Sequence, residues 1–141
     1  MKKTVLISYQ DDREVDLLSD FLLGMDYRVE TSRTIAEMLQ MVKNISIQVL
    51  LLGDEMEGVK AWNIIAVVKE IAPKVQVIMI SSEGSLDWVR RLREAGIFYQ
   101  AMKPVDPKEI KSAVACAFEK IERESFNQGS ISFFIPRTVS A

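Results

Sequence analysis

The spacing of apolar positions changes several times along the chain. Short continuous runs alternate with stretches in which the apolar residues fall three and four apart. The run that organises the rest is Val49-Leu50-Leu51-Leu52, followed at once by Gly53 and Asp54. It is too short for a helix of its own, and its hard stop reads as a strand buried on both faces. Thr4-Val5-Leu6-Ile7-Ser8-Tyr9 and Val75-Gln76-Val77-Ile78-Met79-Ile80 are further runs of this kind, and Ile97 to Met102 is a shorter one. Tyr27-Arg28-Val29-Glu30-Thr31 instead alternates, as an exposed edge strand does.

The segments between these runs have helical spacing. Val15, Leu17, Leu18, Phe21 and Leu22 share one face and stop at Gly24. Ile35, Met38, Leu39 and Val42 form a second stripe. Trp62, Ile65, Val68 and Ile71 form a third, in a helix that Gly58 opens and Ala72-Pro73 closes. A fourth helix runs from a Ser85 cap to Ala95-Gly96, with Val89 and Leu92 on its buried side. The last runs from Asp106-Pro107-Lys108-Glu109 to about Glu124. Asp11 with Glu14, and Thr34 with Glu37, have the spacing of capping boxes.

Strands and helices in strict alternation predict an α/β domain over residues 1–124. Its core is a doubly wound, five-stranded parallel sheet of order 2-1-3-4-5. In such sheets the site of action lies beyond the carboxyl ends of the strands, here near Gly53 and Asp54. Residues 125–141 differ in kind. Asn127-Gln128-Gly129-Ser130 reads as a turn or linker, and Phe133-Phe134-Ile135 as an apolar patch that argues for docking on its own domain, a sheet edge or another subunit, the alternative being the disorder common at chain ends.

Composition narrows the chemistry. A net charge of −2 gives no general attraction to nucleic acid or anionic membrane. No apolar stretch reaches the roughly 18 residues that span a bilayer. Met1-Lys2-Lys3 leads into a strand rather than a signal sequence, so the expected location is cytoplasmic. The count of histidines is 0, which excludes a His-based triad, His metal ligands and a phosphohistidine relay within this chain. The single cysteine, Cys116, excludes an internal disulfide and is expected in the core.

Several short motifs then act together. Ser81-Ser82-Glu83-Gly84 follows the fourth sheet strand, Ala95-Gly96 ends the next helix, Lys103-Pro104 follows the fifth strand, and Met56-Glu57-Gly58 follows the third. In this combination residues 3 to about 122 resemble the receiver domain of two-component response regulators, a flavodoxin-like fold. The resemblance implies a signalling module, not an enzyme. In such modules an aspartate ending the third strand takes a phosphoryl group from a histidine kinase. An acid pair after the first strand holds Mg²⁺. A Ser/Thr and a lysine read the phosphoryl charge, and an aromatic on the fifth strand responds.

Carried over position by position, the resemblance puts Gly53 at the phosphoacceptor and Tyr9 and Gln10 at the acid pair. Glycine has no side chain to phosphorylate, and Mg²⁺ prefers carboxylate oxygens. Only Ser81 and Lys103 remain of the reactive set, and both are expected to be structural, Lys103 pairing with Asp54 or another carboxylate. The expectation is therefore a degenerate pseudo-receiver with no metal and no cofactor. The alternative moves the acceptor one residue on, to Asp54, with Mg²⁺ at Asp11 and Asp12. Strand alternation opposes that shift unless a bulge forms at Gly53. The simpler roles are helix cap for Asp11, first-turn acid for Asp12 and solvated loop acid for Asp54. A flavin mononucleotide carrier on the same strand order would need a phosphate cradle after strand one, where this chain has acids.

Trp88, Arg91, Tyr99 and Gln100 lie on the surface built from the fourth helix, fifth strand and last helix. The resemblance makes this the contact face for a histidine kinase, a downstream effector or a second copy of the chain. Aromatics beside arginines suit such a surface. Arg90, Arg91 and Arg93 of the fourth helix, without a wider basic patch, argue against nucleic acid.

Overall fold

A computed structural model describes residues 2–140, with side chains described for residues 2–126. In chain order the elements are β1 (Thr4–Ser8), α1 (Asp12–Phe21), β2 (Arg28–Ser32), α2 (Ile35–Asn44), β3 (Val49–Gly53), β4 (Glu55–Met56), β5 (Val59–Lys60), α3 (Ala61–Ile71), β6 (Gln76–Ser81), α4 (Leu86–Ala95), β7 (Tyr99–Met102) and α5 (Pro107–Ser140). The expected change of character after Glu124 falls within the stretch assigned to α5. Docking of Phe133-Phe134-Ile135 lies outside the described side chains.

The main sheet has five strands in the order β2-β1-β3-β6-β7, all parallel. Counting only these strands, this is the 2-1-3-4-5 order read from the sequence. Every residue of β1, β3 and β6 is buried, because helices cover both faces. Alternation divides these residues between two cores. Val5, Ile7, Val49, Leu51, Ile78 and Ile80 meet α1 and α5. Leu6, Leu50, Leu52, Val77 and Met79 meet α2, α3 and α4.

The helix starts follow their caps. Asp11 accepts from the Arg13 N–H at 2.9 Å, Thr34 from the Glu37 N–H at 3.1 Å, and Ser85 from the Trp88 N–H at 3.3 Å. Gly96 ends α4 at φ +91°, a left-handed turn that favours glycine.

Four local expectations are corrected. Leu17 is 41 % exposed, because Val15, Leu18 and Leu22 already fill the i, i+3, i+7 stripe of α1. Ile71, the last residue of α3, is exposed to the same extent. Cys116 is exposed on α5. The helix expected from Gly58 begins only at Ala61, because β4 and β5 first form an antiparallel hairpin. Its turn holds Glu57 at φ +52° and Gly58 at φ +76°, the paired left-handed geometry of a tight two-residue hairpin.

Candidate functional site

The parallel register brings the ends of β1 and β3 together. Ser8 pairs with Leu52, so Tyr9 and Gly53 are the next residues along. The Tyr9 ring fills the space beside Gly53. A Cβ built on Gly53 would stand 2.8 Å from Tyr9 Cε2 and 3.0 Å from Cζ. No side chain fits there while the ring stays. Lys103, carried in from the end of β7, lies with Nζ 4.9 Å from the Tyr9 ring centroid, a cation–π contact. Its ammonium also stands 3.4 Å from Glu14 Oε1 on α1. Glu14 therefore does not close the expected capping box with Asp11, and it is the carboxylate that Lys103 pairs with.

This cluster shifts its own proton equilibria. Burial pushes the Tyr9 phenol above its ordinary value, against the pull of the neighbouring Lys103. Burial disfavours the Lys103 ammonium, but its hydrogen bond with Tyr9 and the neighbouring Glu14 carboxylate outweigh it and raise the lysine overall. Both groups are thereby held in their ordinary neutral-pH forms, phenol and ammonium. Glu14 Oε2 is buried without a hydrogen-bond partner, so the cluster leaves one acceptor unused.

Asp54, the residue after β3, turns the other way and is no solvated loop acid. Its Oδ1 accepts from Ser81 Oγ at 2.6 Å and from Trp88 Nε1 at 3.0 Å. Its Oδ2 accepts from the backbone N–H of Ser82 at 2.9 Å and of Glu83 at 3.3 Å. Its backbone carbonyl accepts from the Ala61 N–H at 2.9 Å, at the start of α3. One residue so joins β3, α3, the β6–α4 loop and α4.

The remaining acids serve the loops. Asp11 caps α1, and Asp12 pairs with Arg33. Gln10 Oε1 accepts from the Glu57 N–H at 2.9 Å, and Glu57 Oε1 accepts from the Ile35 N–H at 2.6 Å, so the hairpin turn is tied to the β1–α1 loop and to the start of α2. The structure does not give Asp11, Asp12 and Asp54 a common partner. Among the described residues, no three acids or thiols gather closely enough to hold a metal ion.

Trp88, expected on the α4–β7–α5 surface, is instead half-buried on the α3 side of α4, with its ring edge against Trp62 at 4.8 Å between centroids, because its indole N–H is drawn to Asp54. Lys60 caps Trp88 at 5.5 Å and Arg91 caps Trp62 at 5.2 Å, so the two indoles lie between two cations. Arg91 also binds Asp87 at 3.0 Å. Tyr99 is exposed and donates to Glu109 Oε2 at 2.5 Å. Gln100, on the other side of the strand, reaches the Glu83 carbonyl at 3.4 Å. An apolar groove of about 340 Å³ runs beside Tyr99, between Phe98, Ala113 and Cys116.

Sequence reasoning missed the Tyr9–Gly53 contact, the Glu14–Lys103 pair and the Trp88–Asp54 bond. The first was within reach. Parallel strands that stop together put their next residues side by side, and a large ring beside a glycine is a size match. The other two join positions 89 and 34 residues apart, and no local signal links them.

A profile of the response regulator receiver domain matches residues 5–115. A CheY-like receiver domain protein from Methanospirillum hungatei superimposes with a TM-score of 0.82 at 22 % identity, over 88 % of this chain and 99 % of that one. The receiver domain of a LuxO repressor homologue from Vibrio parahaemolyticus gives 0.83 at 17 %, over 89 % and 97 %. The beryllofluoride-activated NtrC4 receiver domain gives 0.78 at 26 %, over 83 % and 97 %. Among curated proteins none matches. With the family profile spanning most of its length, and with the sheet order and loop motifs of that fold, the chain belongs to the response regulator receiver domain family.

Proposed function

We propose that this receiver domain is an interaction module that works without aspartyl phosphorylation at the end of β3. The observation that carries the reading is the Tyr9 ring standing where a side chain on Gly53 would have to be. Three further features support it. Tyr9 and Gln10 hold the acid-pair positions and offer no carboxylate to Mg²⁺. Lys103 is engaged by Tyr9 and Glu14. Asp54 has both carboxylate oxygens bound by donors. The module works in the cytoplasm, with no cofactor. Among the described residues, no helix is long and apolar enough to cross a membrane.

Incubation with Mg²⁺ and acetyl phosphate, followed by intact mass measurement, tests this. The expected outcome is an unmodified chain. A stoichiometric phosphoryl adduct overturns the reading. If that adduct disappeared in Asp54→Asn, the acceptor would be Asp54, with its metal at Asp11 and Asp12.

The signal then passes through contact alone, to a kinase or a downstream effector. The surface of α4, β7 and α5 offers the exposed Tyr99 beside an apolar groove. The NtrC4 receiver domain was solved as a dimer, and a second copy of this chain is a further proposed partner for the α4–β7–α5 surface.

A further inference from the structure

Four hydrogen-bond donors converge on the end of β3, and none of them belongs to β3. They are Ser81 Oγ, the backbone N–H groups of Ser82 and Glu83, and the Trp88 indole N–H. The two backbone groups and the indole can only donate, and the Ser81 hydroxyl is also used as a donor. Successive backbone N–H groups at such a turn form a concavity that accepts anions. Ser81 is completely buried, so its hydroxyl has no water to turn to. The chemistry required at the centre is a group that accepts on every side. An ionised carboxylate does this, with two oxygens and about four lone-pair sites. A carboxamide does not, because it would bring two N–H hydrogens up against donors.

We infer that these four donors form an oxyanion receptor and that the Asp54 carboxylate is its permanent internal ligand, a latch that sets the position of α4. The mechanical consequence follows from the contacts. Trp88 lies in the first turn of α4 and packs edge-on against Trp62 of α3. Holding its indole N–H holds the helix start. The carbonyl of Asp54 takes the first N–H of α3, so the same residue sets both helices that carry the paired indoles. The start of α4 is thus held by a charge built into the chain and needs no added group. This inference rests on the reading of Asp54 as a structural acid.

The experiment uses the full chain, labelled for amide and indole proton spectra. It follows the Ser82 and Glu83 amides and the Trp88 indole while inorganic phosphate is added, against chloride at equal ionic strength. In the wild type the receptor is full, and phosphate leaves all three signals in place. In Asp54→Ala the three signals move toward solvent-exposed positions, and millimolar phosphate draws them back. Adding Ser81→Ala to that variant removes the phosphate response. A folded Asp54→Ala whose three signals match the wild type overturns the latch. Displaced signals that ignore phosphate overturn the receptor. If Asp54→Ala does not fold, Asp54→Asn keeps the shape of the side chain, and unchanged signals there overturn the proposal equally. Failure of the proposed function is read separately, from a phosphoryl adduct on the wild type, whatever the phosphate titration shows.

Discussion

Gly53 and Tyr9 are best understood as one pair. The ring takes the volume that any side chain at position 53 would need, so the cost of a substitution depends on its neighbour. Adding a methyl group to a filled site costs about 1–3 kcal/mol. Gly53→Ala should therefore lower stability by about that amount in urea denaturation. Tyr9→Ala should lower it too, through the lost ring and its contact with Lys103. Because removing the ring creates the space the methyl needs, the double variant should be clearly less destabilised than the sum of the two singles. Strict additivity would show that the two residues do not compete for the same volume.

At the scale of the element, the β4–β5 hairpin shows how a second glycine is needed for a different reason. Nothing lies within 4 Å of a Cβ built on Gly58, so space is no obstacle there. Its φ of +76° is the obstacle, a conformation that costs a residue with a side chain about 1–2 kcal/mol. Gly58→Ala should be destabilising by that amount, and no cavity-making change nearby should relieve it, in contrast to Gly53→Ala. Urea denaturation of Gly58→Ala with and without Tyr9→Ala makes the comparison. Glu57 accepts the same strain at φ +52° in exchange for tying the turn to α2 through the Ile35 N–H. That tie explains why the turn is a hairpin and not the first turn of α3, as the sequence led one to expect.

For the whole molecule, the question is which surface a partner meets. Trp88 belongs to the Asp54 cluster, so a charge placed there would disturb the interior as well as the face. Tyr99 is the cleaner probe. It is exposed on the outermost strand β7, beside the apolar groove, and its only described bond is to Glu109. Tyr99→Lys, whose ammonium can pair with Glu109 in place of the phenol, should leave the melting temperature almost unchanged and shift the assembly toward monomer in light scattering. A wild-type dimer that survives the substitution would move the interface to another surface.

Much of this could be read from the chain alone. Buried strands appear as continuous apolar runs, helices as stripes, and their starts as caps at Asp11, Thr34 and Ser85, because these features depend on residues a few positions apart. The sheet order followed because crossover handedness leaves few solutions. The identity of Gly53 at the end of the middle strand was likewise plain from the letters. The direction of side chains at that strand's end was not legible. Tyr9 turning onto Gly53, Glu14 leaving its cap for Lys103, and Asp54 turning to Ser81 and Trp88 are each chosen among partners tens of residues away. Local pattern records which face of an element is apolar. Only the assembled sheet and its loops decide which buried or half-buried polar groups come within reach of one another, and so which of them must be satisfied there.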